Sequence, residues 1–167
     1  MVIDIPRILK HALTPRWQVR RVFSATELAA IEAAIRDTER LHEGEIRFAV
    51  EGGLELPALL RGMTARQRAV EVFSRLRVWD TERNSGVLIY LLLADRQVEI
   101  VADRGIHARV GAEAWQGICR RMEGAFRERR FAAGVVDGIR EIGTLLARHF
   151  PPQGGNPNEL PDRPEIL

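Results

Sequence analysis

A chain of 167 residues that is 46% hydrophobic supports one ordinary core and not two, so a single domain is expected. Its formal net charge of +2 is unevenly spread: residues 1–22 carry +4 through Arg7, Lys10, Arg16, Arg20 and Arg21 against Asp4, the stretch after Phe150 carries −2, and the middle is neutral. The basic residues gather neither on an aromatic-bearing strand face nor on a reading helix, which argues against nucleic acid, and the lone cysteine, Cys119, excludes an intramolecular disulfide or a CxxC metal site.

The chain opens MVIDIPRILKHALTPRW. Asp4, Pro6 and Arg7 interrupt the apolar stretch a signal peptide needs, and no window approaches the roughly 20 apolar residues of a membrane span, so a cytoplasmic protein is expected. Ile5, Ile8, Leu9, Ala12 and Leu13 share one helical face with Arg7, Lys10 and His11 off it, and Pro15 ends the helix before Arg16, Trp17, Arg20 and Arg21. A basic amphipathic arm of this kind, residues 1–22, has three destinations: an anionic membrane surface, a protein partner, or the domain's own sheet and helices.

Ser24 and Glu27 have capping-box spacing ahead of Leu28, Ile31 and Ile35, which predicts a helix over 25–41. EIRFAVE alternates Ile46, Phe48 and Val50 with Glu45, Arg47, Ala49 and Glu51, the pattern of a half-buried strand. Thr64 and Gln67 cap a second helix lined by Ala69, Val72, Phe73 and Leu76. GVLIYLLLA is apolar throughout and so expects cover on both faces as the central strand. The Ala94-Asp95-Arg96 turn folds QVEIVA back beside it as a hairpin. Two helices follow, one with Trp115, Ile118, Cys119, Met122 and Phe126 on its apolar stripe, the other with Val135, Ile139, Ile142 and Leu146. Cys119 therefore reads as a small core hydrophobe. Residues 152–167, rich in proline and glycine, are expected to form a flexible tail.

A strand–helix–strand crossover makes the first two strands parallel, so their N-terminal ends share one edge of the sheet, to which the C-terminal end of the third strand returns. Glu43 and Glu45, then Asp80, Glu82 and Asn84, then Asp103 and Arg104 are thereby delivered to one rim. Hard cations such as Ca²⁺ or Mg²⁺ take oxygen ligands from several short segments, and Asp80, Glu82, Asn84 and Asp103 offer them. The same residues also suit plainer roles, as turn caps and ion-pair partners. His107, just beyond the third strand, reads as a ligand or a solvated side chain, while His11, His42 and His149 share no metal-site spacing. No motif for an organic cofactor is present.

GEIRFAVE, then NSGVLIYLLLADRQVEIVADRGI, then FAAGVVDGIREIGTLLARHFP strongly resemble the TPM-domain family, over roughly residues 24–151. The most specific pieces are Asn84-Ser85-Gly86-Val87-Leu88 leading into the central strand, the Asp95-Arg96 turn, and Gly105. The resemblance implies a three-layer α/β/α sandwich around a small mixed β-sheet. Members of that family include a thylakoid lumen protein described as an acid phosphatase, a photosystem II repair factor and a receptor modulator, and divalent-metal binding by acids near the strand edge is attributed to some. Carried to the matching segments, that implies metal ligation at Asp80, Glu82, Asn84 and Asp103. The resulting expectation is a binding or assembly accessory protein for a membrane-associated partner, with a Ca²⁺ or Mg²⁺ site on the rim. Its competitor is a metal-dependent acid phosphatase of broad specificity, for which Arg104 and Arg83 are the available cations.

Overall fold

Ser24 and Thr64 start their helices as their spacing predicts. Each side-chain oxygen accepts the backbone N–H three residues on, while Glu27 and Gln67 reach back to the cap nitrogen, opening α3 (Ala25–Glu39) and α5 (Ala65–Arg75). In the computed structural model, which describes residues 2–155 and 157–167, these helices flank a four-stranded sheet in the order β3-β2-β1-β4. β1 (Glu45–Glu51) runs parallel to β2 (Gly86–Leu92), with Glu45 opposite Gly86, and β3 (Gln97–Ala102) returns antiparallel, with Ala102 opposite Val87.

Side-chain alternation divides β2 between two cores. Val87, Ile89 and Leu91 meet Ile31 and Ile35 of α3, together with the stripes of α7 (Ala112–Arg127) and α8 (Phe131–His149). Leu88, Tyr90 and Leu92 meet Ala65, Ala69 and Val72 of α5 on the opposite side. The result is the expected α/β/α sandwich with a mixed sheet.

Gly86 shows why a glycine must lead into the central strand: a Cβ there would sit 1.9 Å from the Val78 carbonyl oxygen, so the preceding loop crosses at a distance no other residue tolerates.

Three features differ from the sequence reading. Residues 152–167, expected as a flexible tail, dock instead: β4 (Glu165–Ile166) pairs parallel with β1, Leu167 N–H donates to the Val50 carbonyl, and Leu160 is buried in the second core. β1 is consequently buried on both faces rather than half-buried, and its polar residues find partners inside. Arg47 donates to the Pro161 carbonyl at 2.8 Å and pairs with Glu165, while Glu51 accepts from Arg68 and from the Tyr90 hydroxyl at 2.6 Å. Two short helices, α4 (Leu56–Leu60) and α6 (Arg104–Val110), occupy stretches without a readable apolar period.

Candidate functional site

The strand ends do converge. Asp103, following β3, accepts the Gly86 N–H on Oδ2 at 2.9 Å and donates its own N–H to the Gly86 carbonyl, fastening the end of β3 to the start of β2. Burial raises its carboxyl above the ordinary range, against the Gly86 hydrogen bond, which favours the anion. Asn84, two residues upstream, is exposed and turns the chain with φ of 50°. Glu82 is held through its backbone, its N–H donating to Glu159, and Asp80 is exposed with Arg77 4.0 Å away. Glu43 is occupied by Arg83 and by the Gln153 N–H. Among the described residues, no three His, Cys, Asp or Glu side chains gather closely enough to hold a metal ion. The donor set is all oxygen, which suits a hard cation, and Asn84 and water would have to complete the coordination. Arg104 and His107 lie exposed in α6.

Acids gather one step inward. Glu39, Glu45 and Asp162 line a cleft of about 430 Å³ with His42 and Arg36. Burial first, then the charges of Glu45 and Asp162, raise the Glu39 carboxyl to about 9, although the Ile46 N–H donates to it at 2.7 Å. Glu45 rises to about 7, mainly through burial; one oxygen accepts the Leu160 N–H at 3.2 Å. His42 accepts the Gly44 N–H on Nδ1, and burial lowers its imidazole to about 4. The sequence pattern marked Glu45 but missed Glu39 and Asp162, which lie on a helix and in the supposed tail.

The arm contains the third arrangement. α1 (Ile5–Ala12) and α2 (Arg16–Val22) are joined at Pro15. His11 is buried: its Nδ1 accepts the Leu54 N–H at 2.9 Å, which leaves Nε2 to carry the proton toward Asp95 Oδ1 at 3.0 Å. Arg7 reaches the same carboxylate at 3.2 Å and the Met63 carbonyl at 2.9 Å, and Lys10 stands 3.5 Å from Asp95. His11 and Arg7 hold the Asp95 carboxyl below its usual range although burial works in the other direction. The glycines that follow β1 let the arm lie close: a Cβ on Gly53 would meet the His11 carbonyl oxygen at 2.5 Å, and one on Gly52 the Thr14 carbonyl oxygen at 2.5 Å. α1 thus docks by its polar face. Most of its apolar stripe points away from the domain, with Ile5 69%, Leu9 58% and Leu13 64% exposed and Trp17 at 57% continuing it, while Ile8 is half-buried beside Leu59 and Leu60.

Asp95 is the anchor of the arm, a role that sequence reading missed by treating it only as a turn residue. Its signal was indirect: Arg7 and His11, four residues apart on α1, put polar side chains on one helical face away from the apolar stripe.

A model of the TPM domain matches residues 19–145. The chain belongs to the TPM-domain family. The NMR structure of BA42 protein from the psychrophilic bacterium Bizionia argentinensis is similar at 34% identity and a TM-score of 0.76, covering 86% of this chain and 94% of that one. The solution NMR structure of an N-terminal domain of a protein from P. gingivalis shares the fold at 16% identity and a TM-score of 0.60, covering 82% and 90% respectively. No curated protein matches the sequence. α1 lies ahead of the matched TPM span, so the Asp95 anchor ties the TPM domain to an arm outside it. None of its described helices is long and apolar enough to cross a membrane.

Proposed function

We propose that this TPM domain works as a binding or assembly accessory for a membrane-associated partner, and not primarily as a phosphatase. One observation carries the reading: α1 is fastened to the domain by its buried polar face and presents Ile5, Leu9 and Leu13 outward. Amphipathic helices ordinarily bury the apolar stripe, so the inverted arrangement supports a surface kept for something else. The test is sedimentation of the purified protein with membranes from the cells that make it, beside an Ile5→Ser/Leu9→Ser/Leu13→Ser variant. The expected outcome is capture of the native protein and loss of capture in the variant, with unchanged circular dichroism because all three side chains are exposed. A native protein left in the supernatant would overturn the reading.

A second, finer reading concerns the rim. Asp103 accepts the Gly86 N–H and Asn84 lies two residues before that glycine in the chain, and this supports a weak Ca²⁺ or Mg²⁺ site to which these two, no more than one of Asp80 and Glu82, and water would contribute oxygens. Calorimetric titration with Ca²⁺, Mg²⁺ and Mn²⁺ is expected to give binding that an Asp80→Asn/Asp103→Asn variant loses. Equal heats in the two proteins would remove these residues as ligands, and binding that disappears would justify a phosphoester screen for the competing hydrolase activity.

A further inference from the structure

The accessory reading leaves open what the exposed stripe meets, and the charges around it supply an answer that rests on that reading. Ile5, Leu9 and Leu13 recur every four residues, so they form a ridge along α1 rather than a groove. The ridge extends beyond the helix. Val2 and Ile3 line a shallow pocket with Leu59 and Leu60, and Leu60 is itself 40% exposed. At the other end comes Trp17, with the Arg21 guanidinium 4.9 Å from its ring centroid.

Cations border this ridge. Arg16, Arg20 and Arg21 are exposed on α2, and residues 1–22 carry +4 while the central part of the chain is neutral. Arg16 and Arg20 also line a cleft of about 770 Å³ with Arg47 and Arg163, facing only two acids, Glu32 and Glu165. Arg47 is 5% exposed, and its Nε has no hydrogen-bond partner among the described residues. An apolar ridge with a tryptophan at its end and arginines beside it matches the charge and polarity profile of an anionic lipid interface: acyl chains take the stripe, and phosphodiesters take the guanidiniums.

We infer that α1 and α2 form a peripheral docking surface for an anionic phospholipid bilayer, with Ile5, Leu9, Leu13 and Trp17 entering the interface and Arg16, Arg20 and Arg21 on lipid phosphates. The anchor at Asp95 sets the orientation, because His11 and Arg7 prevent α1 from rolling its stripe inward. The TPM domain is thereby held against the membrane rather than tethered at a distance.

The experiment is flotation of the full chain with vesicles of phosphatidylethanolamine and phosphatidylglycerol, against vesicles of phosphatidylcholine alone. Binding is expected only to the anionic vesicles and is expected to weaken as salt rises. The Ile5→Ser/Leu9→Ser/Leu13→Ser variant and an Arg16→Gln/Arg20→Gln/Arg21→Gln variant should each lose at least about tenfold in partition coefficient. Native protein that ignores anionic vesicles, or variants that bind equally well, overturns the inference. If cell membranes capture the protein while these vesicles do not, and trypsin treatment of those membranes abolishes capture, the partner is a protein: the lipid inference fails and the accessory reading survives. Failure with both membranes and vesicles removes both. Inorganic phosphate that binds the protein without any vesicle binding reassigns the arginine cleft to a soluble anion and likewise overturns the bilayer.

Discussion

Glu39 and His42 sit in one cleft yet oppose each other in their effect on stability. The Glu39 carboxyl, about 9 in the folded chain against 4.5 ordinarily, favours folding fully below pH 4.5, and that contribution is lost as pH rises through 9. His42, about 4 against 6.5, favours folding above pH 6.5 and loses its contribution as pH falls through 4. Stability should therefore be greatest in a mildly acidic window and decline toward both sides. Glu39→Gln keeps an acceptor for the Ile46 N–H and an N–H donor toward Asp162 while removing the ionisation. The variant is expected to match the native protein at pH 5 and to exceed it at pH 9 by on the order of 1 kcal/mol, or about 2–4 °C in Tm, as scanning calorimetry at the two pH values would read. Glu45, raised to about 7, remains and should leave a smaller alkaline decline in the variant. Parallel pH profiles for the two proteins would mean that Glu39 ionises like a surface acid.

At the scale of elements, local rules were readable and long-range partners were not. Both capping boxes, the hairpin and the two C-terminal helices follow from spacing and polarity, because each signal lies within a few residues, and the parallel pair follows from the helical crossover between its strands. β4 escaped because it is two residues long, follows a proline and has an edge of β1 as its only reason to be extended. α1 was legible as an amphipathic helix, but its orientation was not: the apolar stripe suggested the docking face, whereas Asp95, 84 residues from His11, makes the polar face the docked one. The rim was half legible. Strand order brings Asp80, Glu82, Asn84 and Asp103 to one edge, but where the side chains of 80–84 point depends on a loop whose left-handed turns at Arg77 and Asn84, with φ of 53° and 50°, no apolar period announces. The acid cleft was invisible for the same reason as β4, since Asp162 arrives from the segment read as flexible.

For the whole molecule, the two termini meet on β1 and determine whether that strand is an edge. The arm crosses the glycines at its C-terminal end, the last residues pair along its side, and Arg16 Nη2 donates to the Ile166 carbonyl at 2.8 Å, linking one terminus to the other. Deleting residues 160–167 would strip this arrangement in three ways. It would remove the buried Leu160 side chain, worth about 1.5–3 kcal/mol. It would deprive the buried Arg47 guanidinium of Glu165 and of the Pro161 and Arg163 carbonyls. It would also reopen the β1 edge to pairing with other chains. Some of the Arg47 penalty is relieved by water entering the vacated space, so the expected net loss is about 3 kcal/mol, or about 6–12 °C in Tm, with faster amide exchange in β1 and concentration-dependent aggregation on heating. Arg47→Leu in the truncated chain should recover part of the loss by replacing a poorly solvated cation with an apolar side chain. A truncated protein with unchanged Tm and β1 exchange would instead mean that the tail rests on the domain without supporting it, and the four-stranded sheet would owe its stability to the first three strands alone.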